Sequence, residues 1–319
     1  MNSFGFVKTS MPEETRVGLL PADIKAHINN PQALFFETGY AKHLGIADKA
    51  YLDAGANVVS RDKAYDQTVL CIPKPWINDI DFFQQGQTIM GWLYLSEKKK
   101  IAEAVLEKKM TAISWENMYD PDKNYVFDKN RWYAGYVSTA QALPFANASP
   151  KNLNIGVLGR GRVAKGAIAK LEEEGATYDL FGRDGYDEFM SKLPDYDVAI
   201  NCWYYDPAVG NYLTLEDLQE MKAGALLIDV ASEGVEGSIP HPAISPLYHV
   251  GRFNPIIIYN NNHAPTMWPL ETSQAISEAG APYIDKVING ETDAILNRAT
   301  VVKEGQIIDK RIETLLGIK

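Results

Sequence analysis

From residue 153 onward the chain alternates short, almost wholly apolar runs with segments whose apolar positions fall three and four apart. The runs are Leu153–Leu158, Thr177–Phe181, Val198–Cys202, Ala225–Val230 and Pro255–Tyr259. Runs of this length suit strands buried on both faces, and the helical patterns between them supply crossover connections. The alternation predicts a parallel sheet. Val163, Ala167, Ile168 and Leu171 mark the buried face of a first crossover helix over Val163–Glu174. A second is predicted over Leu213–Met221, capped by Thr214 ahead of Glu216, because a threonine oxygen accepts one of the amides that a helix start leaves open.

The first 125 residues pattern as a separate α/β unit, with strands at Phe4–Lys8 and Ala33–Glu37 and a helix at Ile101–Lys109. Long helices are predicted at Lys129–Leu143, before the central sheet in the chain, and at Leu270–Ile288, after it. The stretch after Ile295 is too short to fold alone. Its β-prone runs around Lys303-Glu304-Gly305 predict a hairpin over Ala299–Ile308 that returns to the first unit. The expected fold class is α/β with two domains. One is a Rossmann-type, doubly wound parallel sheet over 128–267, and the other a discontinuous α/β domain built from 1–127 and 268–319.

Composition narrows the function. At 319 residues the chain lies near the size at which single cores divide, and 46% hydrophobic with 23% charged residues is ordinary globular usage. Its longest apolar runs fall short of the ~20 residues of a membrane helix. The N-terminus has no basic start followed by an apolar core, so a cytoplasmic location is expected. Cys71 and Cys202 are the only cysteines and are expected to be buried thiols. A net charge of −10, with no basic cluster beyond Lys98–Lys100, argues against nucleic acid as a partner.

The segment Asn154-Ile-Gly-Val-Leu-Gly159-Arg-Gly161-Arg-Val-Ala164-Lys-Gly166-Ala167 runs from a strand through a glycine-rich turn into a helix. Gly159 allows the tight turn, Gly161 lets the backbone approach a pyrophosphate, and Ala164 keeps helix and strand close while the helix amides face the anion. A second strand ends about twenty residues further on, as dinucleotide binding requires. Gly159, Arg160, Gly161, Arg162, Val163 and Ala164 are the predicted cradle. The second strand ends in Phe181-Gly-Arg183-Asp184, with no acid at the usual ribose position. Arg183 is placed to meet a 2′-phosphate, which favours NADPH (NADP+) over NADH; in the other reading Arg183 is solvated and Asp184 takes the ribose. Asn201, Cys202 and Val230, at later strand ends, are predicted to line the cofactor cleft.

Further segments resemble a known family. Pro12-Glu-Glu-Thr-Arg16-Val-Gly-Leu-Leu-Pro21, Glu37-Thr-Gly39, Gly45-Ile-Ala-Asp48, Ile72-Pro-Lys74-Pro and Gly91-Trp92-Leu-Tyr94 are similar to motifs of the alanine dehydrogenase and transhydrogenase family. Tyr133-Ala-Gly-Tyr136, the glycine-rich turn and Ile228-Asp-Val-Ala231 resemble its carboxyethylornithine synthase branch, and the likeness runs over nearly the whole chain. It implies that 1–127 with 268–319 binds substrate and that 128–267 binds the dinucleotide. The implied reaction is NADPH-dependent reductive condensation of a 2-oxo acid, pyruvate, with the side-chain amine of ornithine or lysine.

The resemblance also implies roles. Arg16 anchors the substrate carboxylate, for which a guanidinium fork is well shaped, unless it is a surface arginine beside Glu13 and Glu14. Lys74, between two prolines at a strand end, polarises the oxo group and exchanges protons. Tyr94 stands where relatives carry a histidine; as an acid/base it needs a cation such as Lys74 to lower its phenol. His263 stands where relatives carry an asparagine and is the other candidate shuttle. Glu233 takes the place of a family aspartate near the reacting centre, and Glu116 is placed to brace Arg16 or Lys74. No histidine spacing suggests a metal. A homo-oligomer acting on a small 2-oxo acid and an amino acid is expected. The competing readings are an NAD-dependent alanine or saccharopine-type dehydrogenase and a non-catalytic dinucleotide-binding protein.

Overall fold

The strands of the described residues are, in chain order, β1 (Phe4–Phe6), β2 (Leu34–Glu37), β3 (Asn57–Val59), β4 (Val69–Cys71), β5 (Thr88–Gly91), β6 (Thr111–Ser114), β7 (Ile155–Leu158), β8 (Asp179–Phe181), β9 (Val198–Asn201), β10 (Leu226–Asp229), β11 (Leu247–Val250), β12 (Ile256–Tyr259), β13 (Thr300–Lys303) and β14 (Gln306–Ile307). This is a computed structural model, and it describes residues 1–203, 213–231, 234–236, 238, 247–250 (backbone only) and 255–317. The chain divides into two units, Met1–Phe127 with Pro269–Lys319, and Asp128–Trp268.

In the first unit the sheet order is β14-β13-β6-β5-β4-β1-β2-β3. β1 to β6 pair in parallel, while β13 runs antiparallel to β6 and β14 antiparallel to β13. The hairpin predicted near the C-terminus is therefore the edge of this sheet. Its two-residue turn holds Glu304 at φ 50° and Gly305 at φ 77°, the left-handed pair that matches strand twist in short hairpins. Apolar side chains on both sheet faces form the core, with Phe6 stacked on Phe36 at 4.5 Å. The helix Pro269–Ile288 holds the N-terminal signature in place. Ser273 Oγ accepts the Val17 amide at 3.0 Å and Ser277 Oγ, one turn on, accepts the Leu20 amide at 2.8 Å.

The second unit has sheet order β11-β12-β10-β9-β7-β8, parallel except for β11. That edge strand, and the helix Tyr186–Lys192, were not expected from the pattern. Helices Asp128–Ala142 and Arg162–Glu173 cross with their backbones in contact. A Cβ on Gly135 would sit 1.8 Å from the Val163 carbonyl oxygen, and one on Gly166 1.9 Å from that of Trp132. Only glycine fits either position. No helix of the described residues is long and apolar enough to cross a membrane.

Candidate active site

Lys74 follows the end of β4 in Ile72-Pro73-Lys74-Pro75. The neighbouring strand fixes this stretch: the Ile72 amide donates to the Met90 carbonyl at 3.1 Å and the Trp92 amide to the Pro73 carbonyl at 2.8 Å. Gly91 makes the approach possible, since a Cβ there would lie 1.9 Å from the Ile72 oxygen. The lysine is 8% exposed. Burial, reinforced by the charges of Lys98 and Arg16 and opposed by Glu14 and Glu97, brings its amine down to about 7. Near neutrality it exists both as base and as acid, which an ordinary surface lysine does not.

Arg16 is buried rather than a surface residue, and its fork is engaged by its own neighbour. Nε donates to Glu14 Oε1 at 2.8 Å and Nη2 to Oε2 at 2.5 Å. The guanidinium lies 5.1 Å from the centre of the Trp92 ring, whose Nε1 donates to the Tyr125 hydroxyl at 2.8 Å. Burial alone would push the Glu14 carboxyl up, but Arg16, with help from Lys74, holds it at about 2. The pair is an ionic one. The edge of Arg16 expected to take a substrate carboxylate is thus filled by Glu14, and two-point recognition of a second carboxylate at that edge requires Glu14 to move.

Tyr94, just past β5, adopts φ 46°. Glu116 holds this left-handed backbone, accepting the Tyr94 amide on Oε1 at 2.7 Å and the Leu93 amide on Oε2 at 3.2 Å. Glu116 therefore braces the segment carrying Tyr94, where a brace on Arg16 or Lys74 was expected. Burial raises its carboxyl to about 7 despite these hydrogen bonds. The Tyr94 phenol is pushed well above its ordinary value by burial and then by the Glu116 charge. The expected lowering by a neighbouring cation does not win, so a phenolate at neutral pH is disfavoured. Lys98 stands over the Tyr94 ring at 5.5 Å, with Nζ 3.5 Å from the Pro75 carbonyl. The sequence marked it only as part of a basic surface run; its one local signal is that it follows Tyr94 by four residues.

In the other unit, Gly159 has φ 119° and its amide donates to the Phe181 carbonyl at 2.8 Å. A Cβ at Gly159 would come within 3.1 Å of the Cys202 backbone, whereas one at Gly161 would meet nothing within 4 Å. One glycine closes the ends of β7, β8 and β9 together, and the other leaves open space before the amides of the helix Arg162–Glu173. Val163 and Ala164 begin that helix, with Ala164 fully buried. This arrangement fits a dinucleotide pyrophosphate. Arg160, Arg162 and Arg183 are exposed. Arg160 lies 3.9 Å from Asp184, and Arg162 Nε is 2.8 Å from Asp128.

Asn201 faces inward. Its Nδ2 donates to Asp229 Oδ1 at 2.9 Å, and Asp229 also accepts from Ser238 Oγ at 2.7 Å and Asn260 Nδ2 at 3.3 Å. The amides of Cys202 and Val230 extend the β7 and β9 ends, donating to Leu158 at 2.8 Å and Asn201 at 2.9 Å. Burial drives the thiols of Cys71 and Cys202 upward. His263 is 4% exposed, with its Nδ1 2.5 Å from Asn262 Oδ1. Glu233 lies outside the described residues.

The structure thus groups Arg16, Lys74, Tyr94 and Glu116 in one unit and the glycine-rich turn, Asn201 and His263 in the other. Residues 5–136 match the family model described as alanine dehydrogenase/PNT, N-terminal domain. The N(5)-(carboxyethyl)ornithine synthase of Clostridium botulinum is 28% identical over 303 residues, covering 88% of this chain and 93% of the relative. That of Lactococcus lactis subsp. lactis is 28% identical over 284 residues, with 81% and 91% covered. A solved L-alanine dehydrogenase superposes with a TM-score of 0.85 at 20% identity, covering 99% of each chain. Residues 5–136 are therefore similar to the alanine dehydrogenase/PNT N-terminal domain, and the chain has the fold of the solved alanine dehydrogenase.

Proposed function

We propose that this chain is an oxidoreductase of amino-acid metabolism that uses NADPH to join a 2-oxo acid, pyruvate, to the side-chain amine of ornithine or lysine. The observation that carries the reading is Lys74, buried beside the Arg16–Glu14 pair with its amine near 7. Condensation of an amine with an oxo acid first gives a carbinolamine, which loses water to form an imine. Lys74 in its charged form donates a proton to the departing hydroxyl, and in its neutral form takes one from the attacking ammonium. Arg16 takes the substrate carboxylate once Glu14 has moved from its fork. The nicotinamide cofactor supplies the hydride that reduces the imine carbon to a secondary amine. Gly159, Gly161 and the amides at the start of the helix Arg162–Glu173 would hold its pyrophosphate. Arg183, exposed just past the buried end of β8 and with no acid at Phe181-Gly182, supports the choice of NADPH.

The relatives named carboxyethylornithine synthase support the choice of amine. The test is an absorbance assay of NADPH and NADH oxidation with pyruvate and, in turn, ornithine, lysine and ammonia, with the product mass read in parallel. Oxidation that needs both pyruvate and a diamino acid, faster with NADPH, is expected. Turnover with ammonia and NADH alone would replace this reading with an alanine-dehydrogenase one, and no turnover with any combination would refute catalysis of this class.

A further inference from the structure

Asp79, five residues after Lys74, is wholly buried and gathers donors from three separate segments. It accepts the Ser10 amide at 3.0 Å, the Trp76 amide at 2.8 Å and the Tyr65 hydroxyl at 3.0 Å, with Arg61 Nη2 at 3.5 Å. Ser10 belongs to the loop after β1 that leads to Glu14 and Arg16. Trp76 belongs to the turn that follows Lys74, and Arg61 and Tyr65 to the helix Arg61–Tyr65. Thr9 links the first two segments directly. Its Oγ1 donates to the Lys74 carbonyl at 2.6 Å, lies 3.3 Å from Asp79 Oδ2 and accepts the Met11 amide at 3.0 Å.

We propose that Asp79 and Thr9 are positioning residues that clamp the backbone of Lys74 and thereby keep its amine out of water. The inference rests on the proton-transfer role proposed for Lys74. A lysine side chain is long and flexible, so its depth is set by where its backbone is pinned. Here Pro73 and Pro75 restrict the chain on either side, Trp92 holds the Pro73 carbonyl, and Thr9 holds the carbonyl of Lys74 itself. Burial is the largest cause of the lowered proton affinity of Lys74. The charges that face it are Lys98 and Glu97 from the segment after β5 and Glu14 and Arg16 from the N-terminal loop; changing Thr9 removes none of them, whereas the Asp79 charge also acts on Lys98, so Thr9→Val is the cleaner probe of the clamp. Loosening the clamp should therefore let the amine reach water and return toward ordinary lysine behaviour. A mere turn cap at Trp76 would change stability without changing that protonation.

The test compares Thr9→Val, which removes the hydroxyl at nearly constant volume, with Thr9→Ser as the conservative rescue and Asp79→Asn as a second route. Two readouts are taken on the full chain: the pH profile of kcat, and the pH dependence of Lys74 labelling by methyl acetimidate followed by mass spectrometry. Expected for Thr9→Val is a labelling midpoint displaced to higher pH and a fall in kcat at pH 7 of about tenfold or more, alongside a loss of thermal stability from the unpaired Lys74 carbonyl and Met11 amide. Thr9→Ser should behave as the parent. Should Thr9→Val and Asp79→Asn keep the parental labelling curve and kcat while Lys74→Met is inactive, the clamp is refuted and the role of Lys74 stands. If Lys74→Met instead turns over normally, the proposed chemistry fails, and the labelling curve, which needs no turnover, still decides the clamp.

Discussion

The Lys74 loop and the glycine-rich turn are both strand ends shaped by glycine, yet they arrange charge in opposite ways. Around Lys74 the chain places charged side chains in dry surroundings: Arg16 and Lys74 are 7% and 8% exposed, and Glu14 is held at about 2 while Glu116 is raised to about 7. At Gly161 the backbone faces open space, and the nearby arginines are solvated or paired to surface carboxylates. Charges removed from water interact strongly and respond to each neighbour, whereas exposed ones are screened. A single side chain should therefore carry far more of the function in the first region than in the second.

The sharpest way to break this contrast is Lys74→Met. A loss of turnover of ~10²–10⁴-fold is expected, with NADPH affinity unchanged in a fluorescence titration. Turnover within a few-fold of the parent would mean that the buried amine is a bystander.

The second region should be vulnerable at its glycines. Gly166→Val puts side-chain atoms where the Trp132 carbonyl stands, and urea unfolding is expected to show a loss of ~3 kcal/mol. An unchanged midpoint would show that the two helices can separate freely.

Arg183→Ala tests whether an exposed cation there does anything specific. NADPH binding should weaken about tenfold, ~1.4 kcal/mol, with NADH binding unaffected. Equal effects on both cofactors would leave Arg183 with only a general electrostatic role.

Lys98→Met should give the smallest change and probes how neighbours set the amine. Removing a like charge raises the proton affinity of Lys74 from about 7 toward the ordinary lysine value. The neutral fraction then falls ~5-fold at pH 7, and the rise in kcat with pH moves to more alkaline values. A shift to lower pH would mean that Lys98 is not a repelling neighbour.

Much of the framework was legible in the sequence because it is local. Runs such as Ala225–Ile228 are apolar at consecutive positions, and only burial on both faces of a sheet accounts for that. The left-handed pair Glu304-Gly305 between two β-prone runs marks its own hairpin. β11 was invisible, since Leu247–Val250 alternates weakly and becomes a strand only by pairing with the free edge of β12. Gly135 and Gly166 stood within motifs that resemble a family, but a glycine inside a helix does not announce the neighbour whose carbonyl it must admit.

What the sequence by itself determined is the run of parallel strands β7, β8, β9, β10 and β12 with helices between them, the C-terminal hairpin, the glycine-rich turn that opens a helix, and the presence of Arg16 and of Lys74 between prolines, all carried by residues close together along the chain. Only the tertiary structure decided that Glu14 occupies the fork of Arg16, that Glu116 serves the Tyr94 backbone, that Asp79 joins three segments around the lysine loop, and that Lys74 and Lys98 repel one another. Protonation and ion pairing depend on burial and on the orientation of charges, between near neighbours such as Glu14 and Arg16 as much as between residues distant in the chain, and neither is written in any local pattern.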